Sequence, residues 1–464
     1  MDVRDLEEAG FLIPYSKLSP YVVEEVKCRL FDTIMSMVGG AFAVPPEEME
    51  ELRKLTPASD EARPLYPIVP STSMEMAGFI NGYLLRYADW GDTQRRYCGI
   101  GVSGHPSDAL AGLFVLCDVA DLPGKKLIEL THMSYQMWTA IHEKMFFQRL
   151  DIDYTSTISL ILPVTAGMAF GDDPEQIQNA LNLSASAGTI MEQVRPGDIT
   201  NLKSGATAYA TARALWCRRF GRVLQAPKSM FDGEKGWYAY VAPFQGGAFR
   251  MPEGMDAYDM CQTKLFPAFN CAQGPLDCAL DLYDQIRDRM DEVKRVVVKV
   301  CEGDAKWVFR PGQAKYPPDQ AEADHHLQYC LACTLLDGSM TPIQYRQEYL
   351  TSPRVHDMID KIDMQVMTDE EYQALGGIEG AVALEIILAD GSVLKASREL
   401  PEGQFTGMPK PERARRLRAV IDRKRAMLEK AANLDLGEVY RLIFDQIEET
   451  DGKAIVTAVR KSAR

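Results

Sequence analysis

The sequence predicts a mainly α protein, in which a large all-α helical domain made from both chain ends carries an inserted, smaller α+β domain. Up to about residue 250, apolar residues recur at helical spacing between turns rich in glycine and proline. Valine-rich stretches after residue 258 alternate with period two, which is typical of strands. Helical spacing then returns, so we assign residues 1–257 and 405–464 to the helical domain and 258–404 to the inserted domain.

The helices of the first half are predicted in close succession. Each has apolar residues three or four positions apart and ends near a glycine, Pro-Gly or aspartate-rich turn. In chain order they are VVEEVKCRLFDTIMSMVGGAFA, AGFINGYLLRYA, DALAGLFVLCDVADLPG, KLIELTHMSYQMWTAIHEKMF, TISLILPVTAGMAFG, DPEQIQNALNLSASAG and GATAYATARALWCRRFG. We expect no strong strand in this half.

The inserted domain is predicted to combine helices with a small sheet. LDCALDLYDQIRDRM and HHLQYCLACTLLDG have helical spacing, whereas VKRVVVKV and KIDMQVMT alternate as strands do. AVALEIILADGSVLKASREL is a predicted hairpin, because Asp390-Gly391 is a favoured two-residue turn. After the linker GQFTGMPKP, PERARRLRAVIDRKRAMLEKAANL returns to helix.

Composition and charge exclude several classes of protein. The 464 residues are 46% hydrophobic and 25% charged, as in globular proteins, and the net charge is −15. Such an acidic chain lacks the broad basic surface of a nucleic-acid-binding protein. The start MDVRDLEEAG is too acidic for a signal peptide, and the uncharged run YTSTISLILPVTAGMAFG suits a buried helix better than a membrane span. We therefore expect a cytoplasmic protein that binds neither nucleic acid nor membrane.

Ten cysteines raise the question of a metal or redox site. Cys330 and Cys333 have CxxC spacing, but their flanks are those of a buried helix and the chain has no second CxxC. Reduced thiols in a core are the simpler interpretation, and we expect no metal site.

The stretch ADWGDTQRRYCGIGVSGHPSD concentrates polar chemistry. If the preceding helix continues through it, Asp89, Asp92 and Thr93 share one face and could serve either proton transfer or capping. Arg95 and Arg96 could bind a substrate carboxylate or pair with these aspartates.

A histidine stands where the next helix is predicted to begin. Pro106 suits the first turn of that helix, which places His105 at its N-terminus. The positive end of the helix dipole favours a neutral imidazole, which can act as a base near neutral pH. The alternative is that His105 only caps the helix.

Several motifs, in order, resemble those of the MmgE/PrpD family, which includes 2-methylcitrate dehydratase, cis-aconitate decarboxylase and iminodisuccinate epimerase. DWGDT followed by GHPSD is similar to its signature. NLKSGATAYATARAL resembles the segment with its active-site lysine, here Lys203, and KLFPAFNCAQGPLDCAL the segment with a second lysine, here Lys264. GEKGWY matches a family turn, and ADHHLQYCLACTLLDG resembles the stretch with its active-site tyrosine, here Tyr329.

The resemblance implies a helical domain with a lid, a homodimer, and catalysis without metal or organic cofactor. Its substrates are small di- or tricarboxylates that lose a proton from the carbon next to a carboxylate. On this basis the catalytic candidates are Asp89, His105, Lys203 and Tyr329. The substrate-binding candidates are Thr93, Lys264, Arg95, Arg96, Asp153 and Cys271.

Two positions depart from the family pattern. Its decarboxylases have a histidine near Asp153, and its methylcitrate dehydratases have an Asp-His pair where this chain has Asp153-Tyr154. Those dehydratases also have a histidine where Cys271 stands. Decarboxylation is therefore disfavoured, and 2-methylcitrate itself is left open. Asp153 could instead be only a helix N-cap.

We interpret the chain as a lyase that eliminates water from a small carboxylate such as 2-methylcitrate. An epimerase or a decarboxylase on the same scaffold, and a non-catalytic homologue, are the alternatives. We expect Lys203→Ala to abolish turnover while leaving the melting temperature nearly unchanged. His325 and His326 follow Asp324 near a predicted helix start, and a ligand role for them is less expected.

Overall fold

The computed structural model describes residues 1–95, 104–145, 147–195, 199–240, 249–251, 253–254 and 256–463. Helices make up 58% of the structure and strands 9%, which confirms a mainly α protein.

The predicted helices of the first half are all present. Ser19 and Ser73 begin two of them, and each accepts a hydrogen bond from a backbone N–H three residues on. The helices are α1 Pro20–Ala43, α2 Pro46–Leu55, α3 Met74–Tyr87, α4 Leu110–Val119, α5 Gly124–Lys144, α6 Ile158–Phe170, α7 Pro174–Ala187, α8 Leu202–Phe220 and α9 Trp237–Tyr240.

The second half contains the remaining helices, again where helical spacing predicts the longer ones. They are α10 Gln273–Ile286, α11 Glu302–Val308, α12 Gln320–Ala323, α13 Leu327–Asp337, α14 Gln347–Leu350, α15 Pro353–Ile359, α16 Asp369–Ala374, α17 Lys410–Ala432, α18 Gly437–Phe444 and α19 Gly452–Ser462. Short 3₁₀ turns span Val3–Asp5, Tyr15–Lys17, Pro106–Ala109, Phe147–Leu150, Tyr154–Thr157, Glu192–Val194, Asn270–Ala272, Arg287–Glu292 and Pro342–Tyr345.

One four-stranded sheet lies in the second half. The strands of the described chain are β1 Thr93–Gln94, β2 Cys261–Gln262, β3 Val293–Val300, β4 Ile362–Val366, β5 Val382–Leu388 and β6 Val393–Arg398. The sheet order is β4-β3-β5-β6, with β3 parallel to β4 and antiparallel to β5, and β5 antiparallel to β6. The predicted strands and the hairpin are confirmed. Gly391 adopts φ +84° in the turn, a value that favours glycine.

Among the described residues, the first half contains only the two-residue strand β1, in agreement with the expectation of no strong strand there. β1 pairs with β2 in an antiparallel ladder. Thr93 faces Gln262, and Gln262 also bridges to Gln404. Thr263 donates its backbone N–H to the Gly403 carbonyl at 3.0 Å. A Cβ on Gly403 would lie 1.8 Å from the Thr263 carbonyl oxygen, so only glycine allows this approach. The start of the range 258–404, at Gln262 and Thr263, therefore runs beside its end, at Gly403 and Gln404. The start also pairs with β1.

The C-terminal helices pack on the N-terminal ones. α17 and α18 contact α1, and α19 contacts α4. This is the packing that a helical domain built from both chain ends requires, while the division into domain and lid stays a prediction.

Two further expectations concern buried apolar segments. Cys330 and Cys333 are fully buried in α13, as predicted for core residues. Among the described residues, we find no helix whose length and apolar character would let it cross a membrane.

Candidate active site

The chain turns sharply after α3, and this turn sets the direction of Asp89. α3 ends at Tyr87, and Asp89 has φ 47°, in the left-handed region that aspartate tolerates. The helix therefore does not continue through DWGDT, and the predicted shared face of Asp89, Asp92 and Thr93 is wrong. The turn instead directs the Asp89 carboxylate back to Arg86, whose Nη2 donates to Oδ1 at 2.8 Å.

Asp89 is the centre of a buried cluster of charges. Lys264 Nζ donates to Asp89 Oδ2 at 2.6 Å and to its carbonyl oxygen at 2.9 Å. The pairing of β1 with β2 brings the two together, although they are 175 residues apart. Burial alone would raise the pKa of Asp89, but the Lys264 ammonium and the Arg86 guanidinium hold it well below its usual range. Asp89 is thus ionised and pairs with two cations.

His105 lies against this cluster with a fixed tautomer. Its Nδ1 is 2.5 Å from the Asp92 carbonyl oxygen, and because a carbonyl only accepts, Nδ1 carries the proton. Nε2 therefore has the lone pair, and it lies 4.0 Å from Asp89 Oδ1. Burial and the positive charges of Arg86 and Lys264 lower the pKa of His105 well below its usual range. The imidazole is a neutral, buried base.

The capping alternative for His105 is not what the structure shows. The 3₁₀ turn Pro106–Ala109 begins directly after it and leads into α4, as predicted for the helix start. The imidazole, however, makes no capping hydrogen bond to that turn.

A glycine lets an aromatic ring approach His105. Gly104 has φ +94°, and a Cβ there would lie 2.3 Å from the ring of Tyr154. The rings of Tyr154 and His105 are 5.4 Å apart, and Arg86 Nη2 donates to the Tyr154 hydroxyl at 3.4 Å. Tyr154 thus closes one side of the cluster.

Asp153 lies behind this tyrosine. Its carboxylate accepts Arg195 Nε at 2.6 Å, and the Arg195 guanidinium lies 4.4 Å from the Tyr154 ring centre. Asp153 also accepts the Thr155 backbone N–H at 3.0 Å, which confirms it as the N-cap of a 3₁₀ turn. Its contact with the cluster runs through Arg195 and Tyr154.

Lys203 belongs to a second group of charges nearby. Its Nζ, at the start of α8, donates to both carboxylate oxygens of Asp324 and to the Ala321 carbonyl at 3.2 Å. Asp324 also accepts Gln320 Nε2 at 2.7 Å and His325 Nδ1. Burial lowers the pKa of His325, whereas both Asp324 and Asp89 raise it, so the two groups lie within electrostatic reach.

Two predicted binding residues, Thr93 and Arg95, contact residues in the range 258–404, and a third, Cys271, lies within that range. The Thr93 hydroxyl donates to Asn270 Oδ1 at 3.2 Å, and Arg95 Nη1 lies 3.5 Å from Glu379 Oε2. The Cys271 thiol donates to Asp304 at 3.4 Å. Arg96 lies outside the described residues.

Tyr329 is placed away from the charged cluster. It is fully buried in α13, and its hydroxyl donates to the backbone carbonyl of Gln344. Burial raises its pKa strongly. These contacts are those of a packed core tyrosine, and the tyrosine beside His105 is Tyr154.

Sequence reasoning missed Arg86, Asp324 and Asp108 as parts of the site. Arg86 stands three residues before Asp89 at a helix end, a spacing that could have revealed the pair. Asp108 lies 3.6 Å from Arg86 Nε, and burial raises its pKa to about 7. Nothing in the spacing of Asp324 indicates Lys203, which is 121 residues away.

Comparison with known proteins identifies the family. The MmgE/PrpD N-terminal domain matches residues 12–247, and the MmgE/PrpD C-terminal domain matches residues 266–418. The chain therefore belongs to the MmgE/PrpD family, which confirms the resemblance of its motifs.

Named relatives are distant. The chain is 24% identical to 2-methylcitrate dehydratase of Salmonella typhimurium over 352 residues, 70% of each protein. It is 24% identical to 2-methylcitrate dehydratase of Escherichia coli over 316 residues, 64% of each. It is 25% identical to cis-aconitate decarboxylase of Mus musculus over 157 residues, 31% of this chain and 30% of that one. The chain thus matches about two thirds of the length of the two dehydratases.

Proposed function

We propose that this protein is a lyase that takes a proton from the carbon next to a carboxylate of a small di- or tricarboxylate and then eliminates water. The observation that carries this proposal is the neutral His105 imidazole, whose unprotonated Nε2 lies 4.0 Å from Asp89 in the buried Asp89–Lys264–Arg86 cluster. A neutral imidazole has a lone pair that can accept a proton at neutral pH, and the negative charges of a bound carboxylate substrate would raise its lowered pKa toward that range.

The cluster has positive charge and free donors for an anionic substrate. Lys264 and Arg86 both pair with Asp89, so two cations meet one permanent anion. Among the described residues, buried Arg86 Nη1 has no hydrogen-bond partner, and buried Arg86 Nε has only the Asp108 carboxylate, 3.6 Å away. Buried donors of this kind call for a ligand or water. A substrate carboxylate placed there would satisfy them.

The same cations support the chemical step. When the carbon next to a carboxylate loses its proton, negative charge moves onto the carboxylate oxygens. Donors fixed in a water-poor site stabilise that charge more than water does. Lys264 and Arg86 are 1% and 2% exposed, so they meet this condition.

The relatives support a dehydration, since two of them are named 2-methylcitrate dehydratase. We keep 2-methylcitrate as one example of the substrate class. Tyr154 and Cys271 are the positions at which the resemblance to those dehydratases departs, and Tyr154 lies beside His105. A different tricarboxylate or dicarboxylate would be accommodated by such a change.

One observation also fits an epimerase. His105 and His325 come from distant parts of the chain; burial lowers the pKa of both imidazoles, and the Asp89 carboxylate opposes that lowering in both. Two imidazoles could remove a proton from one side of a carbon and return one from the other.

Incubating the protein with a panel of small polycarboxylates in deuterated water, followed by mass spectrometry, tests these alternatives. Loss of one water with formation of a conjugated double bond supports the lyase. Gain of deuterium at carbon without loss of water indicates the epimerase. Loss of carbon dioxide indicates the decarboxylase. No change in any compound would contradict all three and indicate a non-catalytic homologue.

The matched variant is His105→Asn. Asparagine can still donate to the Asp92 carbonyl but has no basic nitrogen. We expect turnover to fall by about 10²–10⁴, the usual contribution of a positioned base, with little change in melting temperature. Retained turnover would remove His105 as the base. The expected homodimer and cytoplasmic location stay predictions, and sedimentation analysis of the purified protein checks the first.

A further inference from the structure

Neighbouring side chains fix the orientation of the His325 ring. Its Nδ1 donates to Asp324 Oδ1, and its ring stacks on Phe269 with centres 5.6 Å apart and planes at 20°. Asp324 is completely buried and accepts donors from Lys203, Gln320 and His325. A buried carboxylate that holds Nδ1–H fixes the ring orientation and stabilises the imidazolium form.

The other ring nitrogen of His325 is free. Among the described residues Nε2 has no hydrogen-bond partner, and 29% of the side chain is exposed. His325 is thus the more open of the two imidazoles, because the His105 side chain is 8% exposed. Its ring lies within electrostatic reach of Asp89, at the same cluster that His105 faces. The two imidazoles, 220 residues apart in the sequence, thus both act electrostatically on the Asp89 carboxylate. His105 has an unprotonated Nε2, whereas an acid role for His325 requires a protonated one.

From this geometry we infer that His325 is the acid of the reaction, which protonates the departing hydroxyl while His105 acts as the base. The inference rests on the proposed function. It gives the acid role to His325, which is not among the catalytic candidates Asp89, His105, Lys203 and Tyr329 that the resemblance implies. Tyr329 is less suited, because its buried hydroxyl donates to the Gln344 carbonyl of the 3₁₀ turn Pro342–Tyr345.

In the proposed elimination, a C–H bond and a C–O bond break and a carbon–carbon double bond forms. His105 Nε2 takes the proton from the carbon next to the carboxylate, and the electron pair of that C–H bond becomes the second bond of the alkene. The C–O bond to the hydroxyl breaks with its electron pair on oxygen. That oxygen takes the proton from His325 Nε2–H and leaves as water. His105 then releases its proton to solvent and His325 regains one, so that the net change is substrate to alkene and water.

The substrate itself favours the acid form of His325. Without ligand, burial and Lys203 lower the pKa of His325. A di- or tricarboxylate brings several negative charges beside the ring, and nearby negative charge stabilises an imidazolium. Asp324 is then a positioning residue, and Lys203 acts by holding Asp324.

The test compares two leaving groups in three full-length variants. The substrate found in the panel is assayed beside an analogue with chloride in place of the hydroxyl, because chloride leaves without a proton. We expect His325→Asn to lower elimination of water by about 10²–10⁴ and to eliminate chloride at nearly the rate of the unchanged protein. His105→Asn should lose both reactions. Asp324→Asn should show the same split as His325→Asn, which a merely structural role would not produce.

The neighbouring His326 provides the matched control. It is the N-cap of α13, where Nδ1 accepts the Tyr329 backbone N–H at 3.1 Å and Nε2 donates to the Ala314 carbonyl at 3.1 Å. Asparagine is also a good N-cap, so His326→Asn should keep both reactions.

Two outcomes overturn the inference. If His325→Asn eliminates water at the rate of the unchanged protein, His325 is not the acid. If it loses water and chloride elimination equally, its role is in folding or binding. In both cases the unchanged protein still turns over, so the proposed function stands. Failure of the unchanged protein on every compound of the panel is the separate result that removes the proposed function.

Discussion

At the scale of single residues, the site consists of ionic groups that neutralise one another inside the protein. The residues that the motifs indicate are present, but their partners could not be predicted. Lys264 and Asp89 are 175 residues apart, and Lys203 and Asp324 are 121 apart. Periodicity and spacing report only neighbours within a few residues, so a pair that forms through the fold leaves no sign in the sequence.

Lys203 shows why such pairs matter for the design of variants. The sequence led us to expect that Lys203→Ala would leave the melting temperature nearly unchanged. The structure changes that expectation, because Lys203 and Asp324 side chains are 3% and 0% exposed and pair directly. Removing one partner of a buried ion pair leaves an uncompensated charge.

We therefore predict that Lys203→Met lowers the free energy of unfolding by about 3–5 kcal/mol, measured by denaturant unfolding. The double variant Lys203→Met/Asp324→Asn should recover much of that loss, since the unpaired charge is gone. Equal loss in the single and double variants would show that packing, and not charge, is the cause.

Asp108 should make stability depend on pH. Burial raises its pKa from 3.8 to about 7. A carboxyl with a raised pKa in the folded state stabilises the fold fully below its unfolded pKa, and this contribution is lost as pH rises through about 7. The difference corresponds to roughly 4 kcal/mol for an isolated group.

We predict that Asp108→Asn flattens the fall in melting temperature between about pH 4 and pH 8 relative to the unchanged protein. Asp277, whose pKa is also raised to about 7 by burial, is present in both proteins and cancels in the difference. Parallel melting curves for the two proteins over this range would contradict the prediction.

At the scale of elements, sequence periodicity located the helices and the four-stranded sheet. Periodicity cannot detect an element that is too short to show a repeating apolar pattern. β1 and β2 contain two residues each, yet their pairing places Lys264 beside Asp89. The predicted helix AGFINGYLLRYA ends at Ala88, next to the observed end of α3 at Tyr87, but its conditional extension through DWGDT is wrong, since Trp90 is buried without being helical.

The contact between Gly403 and Thr263 should be sensitive to a single methyl group. In Gly403→Ala the new Cβ would lie 1.8 Å from the Thr263 carbonyl oxygen, so backbone must move next to β2. We predict a loss of about 1–3 kcal/mol in the free energy of unfolding and a fall in turnover, since Lys264 follows Thr263 directly.

Gly391→Ala is the control for this prediction. Gly391 has φ +84° in the hairpin turn, but its added Cβ would meet nothing within 4 Å. This variant should lose about 1 kcal/mol of stability and keep full activity. Equal activity of the two alanine variants would show that the contact between Gly403 and Thr263 does not position Lys264.

At the scale of the whole molecule, the C-terminal helix α17 supports the site from behind. Lys424 is fully buried, and its Nζ donates to the Trp90 carbonyl at 2.7 Å and to Asp32 Oδ1 at 2.6 Å. Trp90 is the residue after Asp89. A helix from the end of the chain thus fixes the loop that carries the central carboxylate.

We predict that Lys424→Met lowers both stability, by about 3–5 kcal/mol, and turnover, because Asp32 loses its cation and the Trp90 carbonyl its donor. Lys430→Met changes an exposed lysine of the same helix and should alter neither property. Thermal unfolding and the panel assay measure the two effects. Normal turnover in a stable Lys424→Met protein would show that α17 is not needed to hold the site.

These buried contacts join residues that are far apart in the sequence, and this has a consequence for synthesis on the ribosome. Asp89 emerges early, but Lys264 follows 175 residues later and Lys424 comes 334 residues after Trp90. Until Lys264 is made, Asp89 can pair with Arg86 but lacks its second cation, and until Lys424 is made, Asp32 and the Trp90 carbonyl lack their donor. The buried cluster can therefore be complete only after residue 264 has been made, and its support by α17 only after residue 424.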